Sequence, residues 1–159
     1  MQQYQILNSK EIKKLKEQLQ NQFDFFPQED YAYLLTTDQR VFLINKDIAR
    51  LELKNLLIDR LGLYFAEVVK NGEIRLSKEG AQLLAREARQ KKIVLKNTVS
   101  LDAEALKEYF QGQDLSIDLG PENKLVILQY QEDVLGCAKY KEKTILNFLP
   151  KIHRGEVII

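Results

Sequence analysis

The 159-residue sequence contains one cysteine, one histidine and no tryptophan. A lone Cys137 forms no internal disulfide, which points to a reducing, intracellular setting. One His and one Cys also exclude zinc sites of the usual composition. The seven glycines are scattered at 62, 72, 80, 112, 120, 136 and 155, and neither a GxGxxG run nor a Walker loop is present to cradle a phosphate. A Ser/His/acid triad would have to use His153, which stands among cations near the end of the sequence. Cys137 follows Leu135-Gly136 in an expected strand and reads as a small core residue rather than a nucleophile. Carboxylate pairs occur among the 23 acidic residues, but none stands in a distinctive apolar context. No apolar run approaches the roughly 20 residues of a membrane span, and Met1-Gln-Gln-Tyr-Gln5 has no signal-peptide core. These absences lead to the expectation of a soluble, cytoplasmic protein that is not an enzyme. No catalytic residue, metal, cofactor or membrane partner is expected.

What remains is enough to fold. Hydrophobic residues make up 45% and charged residues 30%, a globular rather than disordered composition. The length suits one domain, or two small ones. The net charge of +1 conceals blocks of opposite sign. Arg86, Arg89, Lys91, Lys92 and Lys96 face only Glu87 over residues 86–96. Lys107 and Lys124 face eight acidic residues over 99–133. Lys139, Lys141, Lys143, Lys151 and Arg154 face Glu142 and Glu156 over 137–159. Two basic stretches flank an acidic one. They either solvate the surface or, if they meet, form a patch for phosphates.

Periodicity supplies the elements. Asn8 or Ser9 caps a first helix carrying Ile12, Leu15 and Leu19. Tyr31–Thr36 and Arg40–Ile44 form a hairpin around Thr37-Asp-Gln39. A short helix opens at Asn45 and runs toward Leu51. Leu61–Val69 and Glu73–Leu76 are strands joined at Asn71-Gly72. Ser77 opens a helix to about Gln90. The pattern then changes, with a strand over Ile93–Leu95 and a helix starting at Ser100 and stopping at Gly112. Leu115–Leu119, Lys124–Tyr130, Val134–Tyr140 and Thr144–Phe148 read as strands, and Val157–Ile159 as a last one. The expected class is α+β: a mixed α/β domain over 1–90, then a strand-rich, barrel-like domain over 91–159.

The segment Leu135–Arg154 resembles the C-terminal PUA-like region of RsmF-type rRNA cytosine-5 methyltransferases. The matching positions are Leu135, Gly136, Lys139, Asn147, Phe148, Pro150, Lys151 and Arg154. Upstream, Tyr109-Phe-Gln-Gly-Gln-Asp-Leu115 resembles the step before that region's central strands, and Leu61–Phe65 with Ile74–Ser77 resembles the approach to it. Tyr33–Leu84 is also similar to the Nip-type ribosome-biogenesis proteins, small two-domain proteins ending in a PUA domain. The resemblance covers nearly everything from about residue 6 and is strongest over 109–154. It implies a pre-PUA domain over 1–90 and a PUA-like RNA-binding domain over 91–159. The methyltransferases' S-adenosylmethionine-binding domain and paired cysteines have no counterpart here, so it implies the RNA-binding part alone.

The residues of the tail agree with that implication. Lys139 and Lys141 lie two apart on an expected strand and so share a face. Lys143 falls at the turn, and Lys151, His153 and Arg154 follow Pro150, which keeps the segment out of a helix. Asn147 offers an amide that reads a base edge or holds a backbone turn. Phe148 and Tyr140 either stack on a base or pack in the core. Arg86, Arg89, Lys91 and Lys92 extend the patch or complement a helix C-terminus. The expected function is non-catalytic binding of structured RNA, rRNA or tRNA, as an accessory factor in ribosome biogenesis or RNA modification. The expected partners are that RNA and a separate RNA methyltransferase or assembly protein. The alternative is a protein-interaction adaptor docking onto such a methyltransferase or assembly factor.

Overall fold

Asn8 opens the first helix in the computed structural model, which describes residues 3–49 and 62–155. Its side chain accepts from the Glu11 amide at 2.9 Å, and the Glu11 carboxylate accepts from the Asn8 amide at 2.8 Å. The reciprocal pair satisfies amides that a helix start leaves open. This helix, α1 (Ser9–Phe23), buries Leu15, Leu19 and Phe23. A cap contributes about 1 kcal/mol, whereas each such side chain contributes about 1.5–3 kcal/mol on burial. Packing therefore holds α1, and the cap sets where it starts.

The chain is α+β and divides into two units, residues 1–96 and 97–159. The first contains β1 (Tyr4–Ile6), β2 (Tyr31–Thr36), β3 (Arg40–Asn45), β4 (Leu63–Val68) and β5 (Ile74–Leu76), an antiparallel sheet in that order. With it go α1, α2 (Lys46–Ala49) and α3 (Lys78–Gln90). Ala32, Leu34, Phe42 and Ile44 cluster on one face of the sheet, with Tyr4 and Tyr64 against them. The short β1 was not legible in the polar N-terminus; it pairs Tyr4–Ile6 with Thr36–Leu34. Gln22 fastens α1 to the outer edge of β5: its amide oxygen accepts from Ile74 N at 2.7 Å and its nitrogen donates to Ile74 O at 3.0 Å.

Ser77 accepts from Gly80 N at 2.8 Å and turns its hydroxyl to the carbonyls of Tyr64 and Phe65. One side chain thus starts α3 and ties it to β4. Gly80 then lets the helix lie directly on that strand, since a Cβ there would stand 1.9 Å from the Phe65 carbonyl oxygen. The strand expected over Ile93–Leu95 does not form. Lys92 takes a left-handed φ of 57°, Ile93 N donates back to Ala88 O at 2.9 Å, and Val94 is 90% exposed. Ile93 and Val94 are exposed and Leu95 is half-buried, and among the described residues no strand forms a ladder with them.

The second unit contains β6 (Thr98–Ser100), α4 (Ala103–Phe110), β7 (Leu115–Ser116), β8 (Lys124–Tyr130), β9 (Asp133–Lys141) and β10 (Thr144–Leu146). They form a curled half-barrel in the order β6-β8-β9-β10-β7, with β6 parallel to β8 and the other pairs antiparallel. Its core is Leu101, Tyr109, Leu115, Val126, Leu128, Ala138, Tyr140 and Ile145. The helix expected from Ser100 starts two residues later. Ser100 still pairs with Gln129, and Leu101 N donates to Gln129 O at 2.8 Å. The ladder therefore ends before Asp102 can cap α4, which it does by accepting from Ala105 N at 2.8 Å. Leu51, Leu61 and Val157–Ile159 lie outside the described residues, among which no helix is long and apolar enough to cross a membrane.

Alanine in a helix ordinarily gains about 0.5–1 kcal/mol over glycine. At Gly80 the 1.9 Å approach to Phe65 reverses the sign. Gly80→Ala is expected to destabilise the protein by at least ~2 kcal/mol, measured by urea denaturation; an unchanged or higher midpoint would refute the packing described here.

Candidate nucleic-acid interface

Asn147 leaves β10 and is immediately bound on every side. Its side-chain nitrogen donates to Tyr109 O at 2.7 Å and Gln113 O at 2.9 Å. Its side-chain oxygen accepts from Leu149 N at 2.8 Å, and its backbone amide donates to the Asp114 carboxylate at 2.9 Å. Both amide hydrogens and the amide oxygen are engaged. Asn147 therefore holds the turn, the second of its two sequence-level roles.

The chain beyond it doubles back over the end of α4. Leu149 packs on the core. Pro150 precedes a single 3-10 turn over Lys151–His153, because a fixed proline φ suits the start of one helical turn even where no helix continues. Arg154 Nε donates to Leu149 O at 3.1 Å, and Gly155 N donates to Phe110 O at 2.8 Å. The Arg154 side chain crosses Gly112 so closely that a Cβ there would lie 2.5 Å from Nε. Gly112 also has a φ of 84°, closing α4 in the left-handed conformation that glycine adopts freely.

This anchoring presents a knuckle to solvent. Lys151, His153 and Arg154 are exposed, Phe148 is 43% exposed, and Ile152 is 86% exposed. Of the two aromatic candidates, Phe148 is thus accessible and Tyr140 is not. Tyr140 is fully buried, its hydroxyl donating to Gly120 O at 2.7 Å and accepting from Leu119 N at 2.9 Å. It fixes the turn before β8. Cys137 is half-buried in β9.

The β9–β10 hairpin carries three further cations. Lys139 is half-buried and pairs with Leu125 and Leu146 in the ladder; Lys141 is exposed and pairs with Thr144. Lys143 occupies the two-residue turn, with φ 60° after Glu142 at φ 51°. That geometry matches the strand twist but usually selects Asn-Gly. Its ammonium lies 4.0 Å from Asp118 with both partners exposed, so water screens the pair. The second unit thus brings together Lys139, Lys141, Lys143, Asn147, Lys151, His153 and Arg154 on one hairpin and the segment leaving it. Arg86, Arg89, Lys91 and Lys92 belong to the first unit, all exposed at the end of α3, where they complement its C-terminal dipole. Ile152 was missed in the sequence; its only signal was an apolar residue between two basic ones after a proline.

Among the described residues, no group of three or more His, Cys, Asp and Glu side chains is placed to hold a metal. Residues 96–154 match the family model of the methyltransferase RsmF PUA domain. A comparison with curated proteins finds no match. This stretch is a PUA-like domain, and PUA domains are non-catalytic RNA-binding modules.

Asn147→Ala is expected to cost about 2–3 kcal/mol, because it leaves the Tyr109 and Gln113 carbonyls and the Leu149 amide without this partner. Thermal denaturation that shows no loss would contradict the anchor. Lys143→Gly removes the side chain from a left-handed position, and a gain of about 0.5–1 kcal/mol is expected; a lower denaturation midpoint would show that the side chain supports the turn.

Proposed function

We propose that the PUA-like domain binds structured RNA, rRNA or tRNA, through the hairpin and knuckle, and that the chain is a non-catalytic accessory factor in ribosome biogenesis or RNA modification. Lys141, Lys143, Lys151 and Arg154 contact phosphates, with Lys139 and His153 at the margins. Arg86, Arg89, Lys91 and Lys92 give the first unit, a pre-PUA domain in this reading, a further basic contribution. The observation that carries the reading is the pinned segment after Asn147. An aromatic face and a row of cations are held outward by hydrogen bonds rather than left on a loose tail. Phosphate contacts from lysine and arginine supply affinity, and an accessible ring stacks on an unpaired base. The setting is cytoplasmic, beside a separate RNA methyltransferase or assembly protein.

A second reading, as a protein-interaction adaptor, is favoured by one observation. Ile152, at 86% exposure, is the kind of apolar anchor a protein partner covers.

The two readings separate in a salt titration with total rRNA. Lys141→Glu combined with Lys151→Glu changes two exposed cations and leaves Asn147 and Arg154 in place. The double variant is expected to bind at least ~10-fold more weakly at moderate salt. Its log affinity should also fall less steeply with log salt, by about 0.7–0.9 per lost contact. Unchanged affinity and slope would reject the RNA-binding reading, and Ile152→Glu abolishing capture of a protein partner without changing RNA affinity would favour the adaptor.

A further inference from the structure

Ile152 stands in the middle of the turn over Lys151–His153, and no other large apolar side chain described in the second unit is as exposed. A lone apolar side chain in water is ordinary, but the backbone under this one is fixed. His153 N donates to Pro150 O at 2.9 Å, and Arg154 N donates to Lys151 O at 3.2 Å, so the turn closes on itself. It is also tied on both sides, by the Asn147 side chain before it and by Gly155 N on Phe110 O after it. The side chain adds stiffness of its own, because a β-branched residue has few χ1 alternatives. The result is a short, rigid apolar point rather than a loose tail residue.

Its surroundings select the partner. Lys151, His153 and Arg154 are exposed on either side of Ile152, and no acidic residue occurs in the sequence from Lys143 to Gly155. Asp114 meets the segment at its root, where its carboxylate accepts from Asn147 N at 2.9 Å. Phe148, earlier in the same segment, is partly exposed. Charge complementarity therefore favours a polyanion. Phosphates alone would meet the cations and leave both apolar side chains in water. RNA offers a surface for each of them at one kind of place. The minor groove of an A-form stem is wide and shallow, open to a short turn. The base pair that closes a loop is opened more easily than one inside the stem, and apolar wedges act at steps that unstack at low cost. The loop beside that pair supplies an unpaired base for an aromatic face. A protein partner would instead need an apolar hollow rimmed with carboxylates.

We propose that the knuckle recognises the loop-closing end of an RNA stem, a role that rests on the RNA-binding reading above and names the part of the RNA that is taken. Ile152 wedges against the closing base pair, Phe148 stacks on the adjacent unpaired base, and Lys151 and Arg154 hold phosphates on either side. The wedge acts by shape and the cations by charge, so the two contributions separate in a salt titration.

The test uses the intact protein and three synthetic RNAs: a stem-loop, its stem as a duplex without the loop, and its loop sequence as a single strand. 2-Aminopurine, paired with uridine in the closing pair, brightens when it unstacks. The stem-loop is expected to bind more tightly than the other two RNAs, with a rise in fluorescence. Ile152→Ala should weaken stem-loop binding about 10-fold and remove the rise, while Ile152→Leu retains both. The salt slope and the duplex affinity should stay the same in Ile152→Ala, since no charge is lost. The thermal midpoint should also stay the same, since the side chain is exposed. Stem-loop affinity unchanged in Ile152→Ala, with RNA binding otherwise intact, would overturn the wedge alone; it is the result expected if Ile152 serves a protein partner. Equal affinity of the unchanged protein for stem-loop and duplex would also overturn it. Failure of the unchanged protein to bind any of the RNAs or total rRNA would overturn the RNA-binding reading together with the wedge.

Discussion

The presentation of the C-terminal segment depends on one amide. Asn147 ties the end of β10 to Tyr109 O in the last turn of α4 and to Gln113 O just beyond it, and holds its own turn through Leu149 N, with side-chain hydrogen bonds of 2.7–2.9 Å. Without them, residues 148–155 would lose their main tie to the end of α4. With them, the segment turns at Pro150, lays Arg154 across Gly112 and returns to Phe110. The entropy of ordering those side chains is met by the fold, before any partner arrives. Preorganisation of this kind allows a few exposed cations and one half-exposed ring to act together.

Acidic and basic side chains are concentrated on different elements of the second unit. Asp102, Glu104, Glu108 and Asp114 line a groove of about 450 Å³ beside α4 and β7. The cations lie instead on the β9–β10 hairpin and the knuckle. In the RNA-binding reading the acidic groove repels phosphates and orients the approach, so that like-charge juxtaposition excludes the wrong face. The turn at Glu142-Lys143 belongs to the same account. Two side chains occupy left-handed positions where Asn-Gly would be easier, and one of them is a lysine at the hairpin tip.

Much of this architecture was legible in the sequence, for identifiable reasons. β8 and β9 alternate cleanly or run apolar between turn residues, and Lys124–Tyr130 has the bounds expected of it. Ser77 signalled α3 because its side chain acts locally, on an amide three residues on. Where partners are distant in sequence, the signal failed. β1 exists only because β2 offers it an edge. Ser100 yields the helix cap to Asp102 because its pairing with Gln129 is decided 29 residues away. Ile93-Val-Leu95 has strand composition but joins no ladder among the described residues. At the candidate interface the basic residues were readable by type, while the sorting of Tyr140 inward and Phe148 outward was not. It depends on the turn at Gly120 and on Asn147, contacts made across 20 and 38 residues. The roles of Gly112 and Arg154 became visible only once the chain had folded back between them.

The central claim is that RNA lies against the segment anchored by Asn147. Ultraviolet crosslinking of the intact protein to cellular RNA, with the crosslinked peptide mapped and the attached RNA sequenced, tests it most directly. The account predicts a crosslink within residues 139–154, with Phe148 the leading position, to a loop or end of a structured rRNA or tRNA. Crosslinks confined to the acidic groove between Ser100 and Ile117, or protein recovered with no RNA attached, would contradict it.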